Sequence, residues 1–137
     1  MNNMKLKFIG VGGAFAPLSK GQSNMYFESK NNKRLLVQAL EENPNGDLEE
    51  VGDVTFITTD TQYCPEQLKK IYDISDLIFH DCETMPFRSG VHAHYDDLVT
   101  LPESVRSKMW LYHHAEVREA EADGFRGFVE KGQEFMF

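Results

Sequence analysis

The chain is poor in cysteine, in basic charge and in long apolar runs, and each shortage excludes something. Its 137 residues hold two cysteines, Cys64 and Cys82. They have neither CxxC nor zinc-knuckle spacing, so a disulfide framework and a cysteine-built zinc site are both set aside in favour of reduced cytosolic thiols. Fourteen Lys and Arg stand against 22 Asp and Glu, a net charge of −8. Such a surface lacks the clustered cations that long nucleic acid requires. A small anionic ligand stays open, because a bound metal supplies positive charge locally. No apolar run approaches the roughly 20 residues that span a bilayer, and residues 1–7 are polar and mixed rather than a signal h-region. The expectation is a cytoplasmic, unanchored protein with no membrane partner and no internal repeat.

What is present is enough for one domain with a real core, rich in aromatic area from ten phenylalanines and five tyrosines. The opening reads as strands: Met4–Val11, Asn24–Glu28 and Arg34–Val37, a β-meander or hairpin set joined by turn-rich loops. Residues 38–52 (QALEENPNGDLEEVG) are acidic, with a Pro, two Gly and little apolar pattern. They divide the N-terminal strands, residues 1–37, from a C-terminal half, residues 53–137. The plain reading of this seam is a solvated loop or linker.

From Asp53 the pattern alternates β with α. Val54–Thr58 is a strand, and Cys64-Pro65 opens a helix with Leu68, Ile71 and Tyr72 on one face. Leu77–Phe79 is a short buried strand, a short helix lies around Asp96–Leu101, and Pro102 opens another. Met109–Tyr112 is a further strand, Ala115–Ala122 is helical up to Asp123-Gly124, and Phe125–Val129 and Glu134–Phe137 close the chain as strands. This order favours an α/β class, with α+β as the alternative, built on a mixed sheet with flanking helices.

Three of these strands end in metal-capable groups: Asp60, the HDCE at residues 80–83, and His113-His114. Open α/β sheets place their sites at such carboxyl edges. All five histidines fall between residues 80 and 114, with His92 and His94 on the intervening loop. Each has an ordinary reading beside the functional one. Asp60 between two threonines suits a helix cap or turn. His80, directly after Leu-Ile-Phe, suits a hydrogen-bonded core histidine. Of His113 and His114, strand alternation lets only one serve as a ligand from that element. The segment His92–Asp97 (HAHYDD) nearly reproduces the H-x-H-x-D-H zinc loop of metallo-β-lactamases, with Asp97 where the last His belongs. It does not follow a buried strand directly, as that loop does.

The longer order VTFITTDTQ, LIFHDCE, a histidine-bearing loop and MWLYHHAE resembles the C-terminal half of ribonuclease Z-like and cyclic-nucleotide phosphodiesterase members of the metallo-β-lactamase fold. The opening KLKFIGVGGAFAP…SNMYFE…KRLLV and the closing GFRGFVEKGQEF are similar to the same family. The resemblance implies roles one residue at a time. Asp60 matches the aspartate that bridges two metals, and His113 the histidine that closes the second metal position, with His94 and His114 as weaker candidates. His92 matches the loop histidine that protonates or stabilises a leaving phosphodiester oxygen, with Glu83 orienting it through a hydrogen bond. Zinc or manganese is the implied cofactor.

Two departures limit what the resemblance implies. Arg34–Val37 runs into Gln-Ala-Leu instead of Asp-Cys-Gly, and the acidic seam stands where the H-x-H-x-D-H segment belongs. Two inherited ligands, Asp60 and His113, are too few for a catalytic zinc, which usually takes three plus water. The expectation is therefore a truncated metallo-β-lactamase-like sheet and a phosphodiesterase-like protein with an incomplete, non-catalytic site. One alternative is an active metal-dependent phosphodiesterase on small cyclic nucleotides, completed by a partner chain. The other is a minimal scaffold without activity. Expected partners are a small nucleotide-type ligand and a second copy or a full-length relative.

Overall fold

The computed structural model describes residues 4–10, 24–29, 35–37, 55–115 and 119–136. Eight strands and three helices follow one another as β1 (Met4–Gly10), β2 (Asn24–Ser29), β3 (Leu35–Val37), β4 (Thr55–Ile57), α1 (Pro65–Ile74), β5 (Leu77–Asp81), α2 (Tyr95–Leu98), α3 (Glu103–Arg106), β6 (Met109–Tyr112), β7 (Gly127–Phe128) and β8 (Glu134–Met136). The α/β class holds. Where one mixed sheet was expected, the strands separate into an antiparallel sheet, β2-β1-β8, and a parallel one, β3-β4-β5-β6-β7. The acidic seam at 38–52 lies outside the described residues.

The opening meander is corrected in one respect. β1 and β2 pair antiparallel, Leu6 opposite Phe27, but β3 leaves them to pair parallel with β4, Leu36 opposite Phe56. β3 thereby becomes an edge strand of the parallel sheet.

The parallel sheet is the middle of three layers. One face carries Phe56, Ile78, Met109 and Leu111, packed against Leu68 and Tyr72 of α1 and against Tyr95, Leu98 and Val105 of the short helices. The other carries Ile57, Phe79 and Tyr112, packed against Leu6 of β1 and Phe135 of β8. Burial on both faces explains why these strands read as short apolar runs without alternation.

Helix α1 forms where the sequence predicts it. Pro65 stands in the first turn with Glu66, Leu68 and Tyr72 bury one face, and Lys69 pairs with Asp73 across one turn at 2.8 Å. The last turn has no basic residue of its own. Lys108, just before β6, reaches over and donates to the carbonyls of Tyr72 and Ser75, each at 2.9 Å, satisfying the helix's carboxyl end.

The helix expected over Ala115–Ala122 is not seen in its described part. Residues 119–124 make a single turn, in which the Asp123 amide donates to the carbonyls of Glu119 and Ala120, and Gly124 at φ 86° stops it. One turn with one buried residue, Ala120, is too short to propagate. At β7, Gly127 admits the close approach of Trp110: a Cβ there would lie 3.1 Å from the indole ring. Among the described residues, no helix is long and apolar enough to cross a membrane.

Candidate metal centre

Three adjacent parallel strands deliver their side chains to one carboxyl edge. β4 leads through Thr58-Thr59 to Asp60, β5 ends on Asp81, and β6 is followed at once by His113. The loop after β5 returns His92 to the same place. Ligand-capable atoms of Asp60, Asp81, His92 and His113 all lie within 4.8 Å of one another. Among the described residues this is the group of His, Cys, Asp and Glu with such a spacing.

Two left-handed residues shape the edge. Thr59 has φ 53° and His113 has φ 69°. A β-branched threonine is costly there, as is any non-glycine, and such strain collects at functional sites. The turn at His113 sends its ring to the cluster and lets His114 go the other way. Of the pair, His113 belongs to the cluster and His114 does not. His114 is buried, donates from Nε2 to the carbonyl of Val129 at 3.1 Å, and meets the Phe128 ring edge-on.

Asp81 anchors the group. Its carboxylate is fully buried and its backbone amide donates to Thr58 Oγ1 at 2.8 Å. Oδ2 accepts from the Thr61 amide at 2.9 Å and from His92 Nδ1 at 2.7 Å. Because a carboxylate only accepts, His92 carries its proton on Nδ1 and turns Nε2 away from Asp81. The same hydrogen bond, with smaller help from the nearby charges of Asp81, Asp60 and Glu83 and against a counteracting desolvation, raises the His92 pKa above the ordinary histidine value. The His92 and His113 rings lie 4.3 Å apart between centroids, tilted by 38°.

The remaining atoms are left open. His113 Nδ1 lies 3.2 Å from Asp60 Oδ1 and 3.6 Å from Asp81 Oδ1. Yet neither His113 Nδ1 nor Asp81 Oδ1 has a hydrogen-bond partner, and both are buried. Orphaned buried polar atoms carry a desolvation cost of about 1–3 kcal/mol each unless something pairs them. Two such atoms facing one another, with an exposed carboxylate beside them, fit a divalent cation. The mixed carboxylate and imidazole donors suit zinc or manganese. Asp60, Asp81 and His113 are the residues that would hold it, with His92 alongside.

The sequence alone does not single out Asp81. It sits inside HDCE between the more conspicuous His80 and Glu83, and the apolar run ends at Phe79. Because β5 runs on through Asp81, alternation puts Phe79 and Asp81 on one face and Ile78 and His80 on the other. His80 is thus the core histidine of the ordinary reading: Nδ1 donates to the carbonyl of Asp81 at 2.7 Å and Nε2 accepts from Tyr72 Oη at 2.6 Å. Burial lowers its pKa.

Glu83 is a correction. It does not hydrogen-bond His92, and its Oε1 accepts from the Ser89 amide at 2.9 Å. His94 stands outside the cluster as well. It caps α2 by accepting the Asp96 amide on Nδ1 at 3.1 Å and donates from Nε2 to the carbonyl of Met85 at 2.9 Å, so neither nitrogen is left for a ligand. Asp97 pairs with Arg88 at 3.1 Å on the surface. HAHYDD therefore contributes one imidazole, His92, to the site.

Comparison with known proteins agrees with this architecture. The crystal structure of the metallo-β-lactamase fold protein YhfI from Bacillus subtilis superposes with a TM-score of 0.60 at 10% identity, over 96% of this chain and 99% of that one. A curated relative, the anti-Pycsar protein Apyc1 of Paenibacillus harenae, is 38% identical over 66 residues, which is 47% of this chain and 27% of the relative. The match thus spans about a quarter of that relative's length. The family model of the anti-Pycsar protein Apyc1 matches residues 48–135, which include every residue of the cluster. On that match and that fold, the chain belongs to the anti-Pycsar protein Apyc1 family.

Proposed function

We propose that the described residues form part of a metal-dependent phosphodiesterase site for small cyclic nucleotides, with one divalent cation held by Asp60, Asp81 and His113. The observation that carries this is the pair of orphaned buried atoms, Asp81 Oδ1 and His113 Nδ1, 3.6 Å apart beside Asp60. When bound, the cation supplies charge neutralisation at the phosphoryl oxygens and a more acidic water. Membership in the anti-Pycsar family and the acidic surface both agree with a small cyclic nucleotide over a long nucleic acid.

The chain's own part is to place donors and acceptors. His92, fixed through Nδ1 by Asp81, presents Nε2 as the group that gives a proton to the leaving oxygen. Its raised pKa keeps more of it protonated near neutrality. A positioned acid contributes about 10²–10⁴-fold, well short of what phosphodiester hydrolysis demands. Three ligands suffice for one cation and not for a pair. The described residues are therefore read as an incomplete site, weakly active or inactive on their own.

The alternative reading is full activity once further ligands come from a second chain, and the strained, pre-set edge at Thr59 and His113 favours it. Assays on bis(p-nitrophenyl) phosphate and 3′,5′-cyclic nucleotides with added zinc or manganese separate the two. Little turnover together with metal-dependent nucleotide binding, lost in His113→Ala, supports the incomplete site. Turnover that rises with the square of protein concentration supports completion by a second copy. Metal-independent binding or none at all contradicts both.

A further inference from the structure

His92 reaches the cluster on a loop outside the named strands. Just after it the chain is held by an isolated parallel bridge between Glu83 and His94, and before it by a group of polar contacts at residues 89–93. Gln62, two residues after Asp60, donates from Nε2 to the carbonyl of Gly90 at 2.6 Å. Gly90 adopts φ 77°, the left-handed turn at this point of the loop. Ser89 Oγ accepts from the amides of Val91 at 3.2 Å and His92 at 3.4 Å. Glu83 Oε1 holds the Ser89 amide. The Ala93 amide then donates to the carbonyl of Thr61 at 2.7 Å, closing the segment on the Asp60 loop.

We propose that Gln62 and Ser89 are positioning residues for His92, with Gln62 tying the loop that carries Asp60 to the loop that carries His92. The carboxamide crosses 28 positions of sequence to join the two segments that bring one carboxylate and one imidazole together. Glu83, expected to orient His92 directly, acts at one remove through Ser89. Neither Gln62 nor Ser89 touches the reacting atoms; each fixes where the His92 backbone emerges, and so whether Nδ1 meets Asp81 Oδ2.

This inference rests on the proposed function only for the use made of His92. Its test reads the His92–Asp81 hydrogen bond itself, without metal or turnover, so its failure is distinguishable from failure of the proposed function. Nitrogen-15 histidine spectra at low temperature report the His92 Nδ1–H proton as a downfield resonance and give its exchange rate with water. In Gln62→Met, matched in shape but without a donor, exchange is expected to speed up about tenfold while the His80 Nδ1–H signal, inside the core, stays unchanged. Gln62→Lys, which restores a donor, is expected to recover most of the protection. Ser89→Ala gives a second route to the same loosening through the opposite side of the loop. His92 exchange at wild-type rate in both Gln62→Met and Ser89→Ala overturns the proposal. So does an equal change at His80 in both variants, which marks general destabilisation instead.

Discussion

One carboxylate, Asp81, serves two histidines: Oδ2 accepts from His92 Nδ1 at 2.7 Å, while Oδ1 lies 3.6 Å from His113 Nδ1 with no hydrogen bond formed. The first contact fixes a tautomer and a ring direction. The second leaves a pair of buried atoms whose cost a bound cation would offset.

Replacing Asp81 separates these roles. In Asp81→Asn the amide oxygen still accepts from His92 and Thr61, but the hydrogen bond no longer runs to a charged carboxylate, the contact that chiefly raises the His92 pKa, and the Asp81 charge goes with it. The His92 titration midpoint is expected to fall back towards the ordinary value near 6.5. Asp81→Ala removes both acceptors and is expected to cost about 1–3 kcal/mol. Proton NMR titration reads the first effect and urea denaturation the second.

His80 and His92 make stability depend on pH with opposite signs. Burial lowers the His80 pKa, so the unfolded chain binds the proton more readily, and stability is lost as pH falls below about 6.5. The raised pKa of His92 makes its contribution present below about 6.5 and lost as pH rises through the higher folded value. In wild type the two partly cancel. In His92→Gln, the urea midpoint is expected to fall more steeply from pH 8 to pH 5.5 than in wild type. Tyr72→Phe, which leaves His80 Nε2 without its donor, is expected to destabilise by about 1 kcal/mol at pH 8 and to shrink the further loss in acid, because folded His80 then protonates more readily.

Thr59 holds φ 53°, a region that asparagine tolerates better than threonine. Thr59→Asn is expected to raise stability by roughly 0.5 kcal/mol and to leave the direction of Asp60 unchanged. A lower melting temperature in Thr59→Asn would show that the hydroxyl's 2.6 Å hydrogen bond to the Thr58 carbonyl outweighs the backbone strain.

How legible all this was varied with distance along the chain. Strands β4 and β6 announce themselves by short apolar runs ending in polar groups, which brings Asp60 and the His113-His114 pair to notice, while the choice of Asp60 and His113 as ligands rests on the family resemblance. The helix at Pro65 follows from local chemistry, as do the α2 and α3 segments. Asp81 was hidden because β5 is buried on both faces, so alternation gave no sign that the strand continued past Phe79. The pairing of β3 with β4 was hidden because it joins segments on either side of residues 38–54, and nothing local encodes a partner so far off. His94 misled for the opposite reason: the residue type fitted a metal loop, whereas its position fitted a helix cap, and position decided.

The function proposed for this edge depends on Asp60, Asp81 and His113 holding a divalent cation. The direct measurement is metal content by elemental analysis of protein purified without chelator or histidine tag, beside Asp60→Ala and His113→Ala. About one zinc or manganese per chain is expected, lost in both variants. No stoichiometric metal in the wild type, or a content that both substitutions leave intact, contradicts it.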